Sequence, residues 1–305
     1  MQNSKIKRFA SNTQSSIENR KLQAPAKLNI RLKVTGRRPD GYHELVSIMV
    51  PVSLFDNIEL EMTPRGRIRL TCQGLSIPDN EENLVYRAAQ AFFSRTGSES
   101  GLSVKLTKNI PVAAGLGGGS SDAAGTLMAL NDMCSNPLTS EELAELGVSL
   151  GADIPFFFKN RPCIARGIGE VLEPIEKWPE FWYVIVTPPV KVSTAWVYEN
   201  LKLKLTTGEY DSIITQLGLE WFDIAEILEN DLETVTASHF PVINKIKKSL
   251  VDGGAKGALM SGSGPSVFGI FESRNQALSA ERHLISRDLG NIFVVEGISG
   301  LNIFD

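Results

Sequence analysis

Residues 111–121 read PVAAGLGGGSS and run directly into Asp122 and the small residues Ala123, Ala124 and Gly125. Four glycines in five positions, closed by two hydroxyls at the mouth of a helix-like segment, suit the holding of phosphate. Glycine tolerates positive φ and close backbone approach, and a helix N-terminus adds unpaired N–H donors with partial positive charge. The loop therefore points to a nucleotide. Its candidate contacts are Pro111, Val112, Ala113, Ala114, Gly115, Leu116, Gly117, Gly118, Gly119, Ser120 and Ser121. No Gly-Lys-Ser/Thr occurs in the chain, which removes the P-loop. G-x-G-x-x-G counted from Gly115 ends on Ser120 and counted from Gly117 ends on Asp122, so the dinucleotide fingerprint fails too. A flexible glycine linker is the plain alternative, but strand-like 102–106 and helix-like 123–133 flank the loop too tightly for one.

Four further constellations carry chemistry. In GADIPFFF, Asp153 stands between a helix end and an apolar run, where desolvation would raise its proton affinity and suit it to act as a base; the same Asp-Ile-Pro is also an ordinary helix N-cap. In APAKLN, Lys27 and Asn29 lie two apart and share one face of a strand, either towards a common ligand or outward from an edge. RRPDGYHEL presents Tyr42 and His43 at the exit of a Pro-Asp-Gly turn, a ring and a hydrogen-bonding imidazole that suit a base or sugar, though a lone histidine is more often structural. SGSGPS, residues 261–266, offers either a second set of phosphate-binding amides or a tight β-connection.

These residues need a mixed scaffold to bring them together. Strand patterns occupy 26–33, 58–62, 67–70 and 102–106, with helical spacing over 83–93, 123–133 and 141–150. Thr139 and Glu142 are spaced as a capping box, and Gly147 is expected to soften the last turn of its helix. Turn residues in 161–173 and 178–180 mark the expected domain boundary. The second half reads as strand 183–187, helices 196–201, 212–217 and 242–251, strands 257–260 and 266–271, helix 275–287 and strand 292–295, an α+β pattern.

With 305 residues, two domains sharing a cleft are the default. A net charge of −4 with dispersed basic residues gives nucleic-acid binding no support. Cys72, Cys134 and Cys163 form no CxxC and His43, His239 and His283 no metal-ligand spacing, so neither disulfides nor zinc are expected. No apolar run is long enough to span a bilayer and no secretory core opens the chain, so a cytoplasmic protein without membrane contact is expected. Residues 1–20 are expected to be a disordered tail.

APAKLN, PVAAGLGGGSS, GADIP and MSGSGPS, in this order and spacing, resemble the GHMP small-molecule kinases over about residues 21–300. The resemblance implies an α+β, two-domain fold: a ribosomal-protein-like β/α domain over 21–175 that binds ATP, and a ferredoxin-like α+β domain over 176–305. It implies ATP and Mg²⁺ as cofactors, with the metal ligands open, and a monomer or weak homodimer. TGRRPDGYHEL, GLGGGSSDAA, SLGADIPFF and SGSGPSVF are similar to the branch of that family acting on the 2-hydroxyl of 4-diphosphocytidyl-2-C-methyl-D-erythritol in the non-mevalonate route to isoprenoid precursors.

The same resemblance makes Asp153 the general base and Lys27 the cation that keeps it ionised and orients the hydroxyl. Asn29 is then expected on the erythritol, Tyr42 and His43 on the cytosine, Thr194 and Tyr198 on the opposite wall, and Lys108 near the nucleotide. Ala113 and Ala114 replace glycines of some relatives, so positive φ is not expected there. Asp122, an acid beside triphosphate, is expected to face the helix amides or the shell of the metal. Two alternatives stay open: a family member acting on homoserine, mevalonate or a sugar, and a non-catalytic nucleotide- or RNA-binding module. Composition and the paired Lys27 and Asp153 speak against the second.

Overall fold

The computed structural model describes residues 18–64, 66–202 and 223–300. Most of the expected tail and the expected helix at 212–217 lie outside these residues. Asn19 and Arg20 already belong to the first strand, and Arg20 binds Asp132 at 2.7 Å.

Strands β1 (Asn19–Arg37) and β2 (His43–Thr63) form a long antiparallel hairpin. Its turn is closed by Arg38 N–H donating to the Tyr42 carbonyl at 2.7 Å, with Gly41 at φ 90°. β3 (Ile68–Gly74) and β4 (Gly101–Lys108) are parallel because helix α1 (Leu84–Thr96) crosses between them. β5 (Cys163–Gly167) adds to β2 and β6 (Val171–Pro174) to β5. The turn-rich segment expected at a boundary is therefore an edge hairpin of the first sheet.

Helix α2 (Gly118–Met133) lies behind this sheet with twelve of its sixteen residues buried, which explains why its sequence shows almost no polar face. Its small residues allow a close approach: a Cβ at Gly125 would meet Leu22 Cδ1 at 2.7 Å. Helices α3 (Ser140–Leu150) and α4 (Ile154–Lys159) follow, and the Thr139–Glu142 capping box is present. Gly147 does not soften a turn. It sits where a Cβ would come within 2.9 Å of Ile154 and Phe158, so it lets α3 pack on α4.

The second sheet runs β11–β7–β10–β9, from β7 (Trp182–Thr187), β9 (Ala258–Met260), β10 (Val267–Phe271) and β11 (Asn291–Glu296). Counted within this half, the order is fourth, first, third, second, with helices between the first and second and between the third and fourth strands. That is the ferredoxin-like arrangement. Helices α5 (Thr194–Glu199), α6 (Ile224–Ile227), α7 (Asp231–His239) and α8 (Val242–Asp252) precede β9, and α9 (Arg274–Ile285) precedes β11. The two-residue β8 (Glu229–Asn230) returns to pair parallel with β1.

Alternation in 26–33 predicts one buried face, yet β1 is buried on both from Ala24 to Val34. Leu22 and Ala24 join a core with Phe92, Leu127 and Phe156, whereas Ala26, Leu28 and Ile30 meet Ile185, Phe268 and Ile270 of the second sheet. Large apolar side chains from α1 complete the first core. Phe92 is wholly buried there, so Phe92→Ala is expected to cost about 3–5 kcal/mol, read as a lower urea midpoint.

Candidate functional site

A cleft of about 1210 Å³ runs between the glycine loop and the β1–β2 turn. Strand β1 supplies its chemical centre. Lys27 and Asn29 do share one face, and both are buried, so the face points inward, not outward from an edge. The Lys27 ammonium donates to Asn29 Oδ1 and lies 3.6 Å from Asp153 Oδ2; its side chain is 5 % exposed. Asn29 is held in turn: its Nδ2 donates to Ser47 Oγ at 2.8 Å, and Ser47 donates to the Arg31 carbonyl at 2.6 Å. The amide oxygen is thereby committed to the lysine.

Asp153 occupies the N-cap position of α4, but its side chain caps nothing. At 38 % exposure, it lies outside the apolar run and faces Lys27 across the cleft. The apolar residues that follow have another task. Phe157 packs under the loop, where a Cβ on Gly117 would lie 2.9 Å from its ring and 3.0 Å from Lys27 Cγ.

The loop itself is fixed from two sides. Lys27 N–H donates to the Leu116 carbonyl at 2.9 Å. On the other side Ser261 Oγ donates to the Gly115 carbonyl at 2.9 Å, and Ser266 N–H donates to the Ala114 carbonyl at 3.2 Å. Gly115 has φ 77°, and a Cβ there would collide with the Ser261 carbonyl. SGSGPS is thus a tight connection between β9 and β10 that buttresses the glycine loop, while its Gly262 and Ser263 also reach the cleft.

Pro111, Val112, Ala113, Ala114, Gly115, Gly117, Gly118, Gly119 and Ser120 line the cleft. Leu116 turns into the core and Ser121 is 1 % exposed, so neither side chain does. Ala113, expected without positive φ, takes φ 51°, a left-handed conformation imposed by the turn into Ala114 and Gly115. Asp122 lines the cleft beside Lys108, with its side chain almost wholly buried. Its Oδ2 accepts from Lys108 Nζ at 2.6 Å, and Lys108 also donates to Asp56. Lys108 therefore lies in the cleft floor as a buried partner of two carboxylates.

At the far end, His43 stacks on Tyr198, ring centroids 4.9 Å apart and planes 23° from parallel. Burial, and secondarily the Arg37 charge, pulls the imidazole below its ordinary range, so it is neutral near pH 7. Burial first, and the Asp153 charge second, push the Tyr198 phenol up to about 12. Thr194 Oγ1 shares a hydrogen bond with Ser263 Oγ at 2.8 Å. Tyr42, 60 % exposed, stands at the rim.

Sequence reasoning missed the wall beside the glycine loop, made by Ile77, Pro78, Asn83 and Leu84. Asn83 caps α1, its Oδ1 accepting from Val85 N–H at 2.9 Å, and that cap was the signal in the sequence. Among the described residues, no group of three or more His, Cys, Asp and Glu is arranged to hold a metal ion. No helix among them is long and apolar enough to cross a membrane.

Comparison with known proteins identifies the family of the chain. The model of the GHMP kinases N terminal domain matches residues 83–161, and that of the GHMP kinases C terminal matches 213–289. A 4-diphosphocytidyl-2-C-methyl-D-erythritol kinase of Syntrophotalea carbinolica is 50 % identical over 90 % of this chain and 98 % of its own length. One of Geobacter metallireducens is 49 % identical over 86 % of this chain and 93 % of its own. A crystal structure of 4-(cytidine 5'-diphospho)-2C-methyl-D-erythritol kinase superposes with TM-score 0.78 at 35 % identity, covering 92 % of this chain and all of that one. A crystal structure of L. major mevalonate kinase in complex with R-mevalonate shares the fold at TM-score 0.73 and 18 % identity. The chain belongs to the GHMP kinases, and within them to the branch of the 4-diphosphocytidyl-2-C-methyl-D-erythritol kinases.

Proposed function

We propose that this cleft transfers the γ-phosphoryl group of ATP to the 2-hydroxyl of 4-diphosphocytidyl-2-C-methyl-D-erythritol, giving the 2-phosphate, in the non-mevalonate route to isoprenoid precursors. One observation carries the reading. The same residue, Lys27, holds the glycine loop by its main chain and meets Asn29 and Asp153 by its ammonium, so donor and acceptor sites are contiguous.

Phosphoryl transfer asks a protein mainly for positioning and electrostatics. The amides of the loop and of the first turn of α2 surround the phosphates, and the adenine lies in the lobe walled by Ile77, Pro78 and Leu84. Asp153 takes the proton of the attacking hydroxyl. Lys27 keeps that carboxylate ionised and orients the hydroxyl with Asn29. Tyr198, a neutral phenol beside Asp153, and Thr194 close the erythritol pocket. Tyr42 stacks on the cytosine, and the neutral His43 offers its edge one donor and one acceptor. Mg²⁺, if bound beside the loop with the triphosphate, would supply positive charge to the transferring group. The protein works as a monomer or weak homodimer in the cytoplasm.

ADP release should occur with this substrate and not with mevalonate or homoserine; turnover of either at a comparable rate rejects the choice of acceptor. Asp153→Ala is expected to lower kcat by roughly 10²–10⁴-fold with the circular dichroism spectrum unchanged, and retained substrate-dependent turnover removes the base from Asp153. Tyr42→Ala is expected to weaken the cytidyl substrate by about 1–3 kcal/mol and leave ATP affinity alone, measured by calorimetry. Gly115→Ala, which drives a Cβ into the Ser261 carbonyl, should abolish ATP binding in the same measurement.

A further inference from the structure

Beneath the glycine loop lies a charged cluster that the transfer step does not use. Asp56 on β2, Lys108 at the end of β4 and Asp122 in the first turns of α2 are all at most 4 % exposed. Asp56 binds the chain entering the loop: it accepts from Lys108, from Asn109 N–H at 2.6 Å and from Ile110 N–H at 2.9 Å. Lys108 reaches the chain leaving it, through Asp122 and through Gly118, where a Cβ would stand 2.8 Å from Nζ. The ammonium staples both ends of the loop.

Two carboxylates against one ammonium leave a buried excess of one negative charge, directly below the place assigned to a polyanion. Desolvation makes an uncompensated buried charge expensive, and a proton is the cheapest compensation. Asp122 Oδ1 is buried without a hydrogen-bond partner among the described residues, which makes it the oxygen free to carry that proton. The other titratable group facing Asp122 is Cys72 on β3, whose thiol is held neutral by burial and by Asp79 and Asp122.

We propose that Asp122 is a positioning residue that carries a proton, so that the stapled floor of the loop is neutral when ATP is bound. Burial, offset in part by Lys108, pushes this carboxyl up to about 8, while the two carboxylates outweigh burial at Lys108 and keep it charged. Triphosphate above the cluster raises the proton affinity of Asp122 further. By linkage, ATP binding then draws a proton from solvent near pH 8, and affinity falls as pH rises above that value, by up to about tenfold per unit. The inference rests on the glycine loop being the ATP site.

Calorimetry of ATP binding to the intact protein, at pH 8 in two buffers of different ionisation enthalpy, measures the proton directly. Uptake of a substantial fraction of one proton is expected in the wild type, and none in Asp122→Asn, which keeps the side-chain shape and an acceptor for Lys108. Between pH 7 and 9.5 the affinity of the wild type should fall while that of Asp122→Asn stays level. Binding without proton uptake by the wild type overturns the proposal even where the variant fails to fold, as does an equal pH slope in both proteins. Absence of ATP binding at pH 7 overturns the assignment of the loop itself, and this proposal with it.

Discussion

The hydrogen bond from Lys27 N–H to the Leu116 carbonyl joins a buried strand to a loop that has no regular structure of its own. A glycine-rich segment loses more conformational freedom on ordering than any other, so it keeps one shape only when its surroundings over-determine it. Here the determination comes from β1, whose Leu22 and Ala24 lie in the core with the helical layer and whose Ala26, Leu28 and Ile30 lie in the core with the second sheet, while Lys27 and Asn29 line the cleft. A strand so enclosed cannot shift register without moving both cores. The position of the ammonium relative to the loop is therefore as rigid as the interior of the protein.

Charge is distributed in two tiers around that strand. The upper tier, Lys27 with Asp153, is partly open on the carboxylate side and balanced one to one. The lower tier is closed and unbalanced, with Lys108 between two acids. Separation matters, because a carboxylate open to the cleft stays within reach of a bound molecule, whereas charge that shapes a loop is strongest where water is excluded. The glycines supply neither charge. Their contribution is backbone donors and the absence of side chains where Lys27, Phe157, Ile110 and Ser261 press close.

The sequence made some of this legible and hid the rest for identifiable reasons. Lys27 and Asn29 were readable as one face because strand periodicity is local, and Thr139 with Glu142 was readable because a capping box spans four residues. The double burial of β1 depends on a sheet built from residues 182–296 and leaves no mark on 26–33. Asp153 looked like a cap because its neighbours are those of a cap; its partner lies on another element. The Asp56–Lys108–Asp122 cluster follows from the pairing of β2 with β4 and the placing of α2 behind them, which no spacing along the chain reveals. Ala113 misled because residue type biases φ, while the closure of a turn on both sides can override that bias.

The turn that buttresses the glycine loop is 146 positions downstream of the carbonyl it supports. During synthesis, the loop, α2 and the strands around them all leave the ribosome well before Ser261 does. Until residues 261–266 emerge and seat against Ala114 and Gly115, the nascent chain carries a loop held on one side only. The finished shape of the loop is thus a late event in the life of each molecule, tied to completion of the second sheet, and a chain halted before that point carries an incomplete fold.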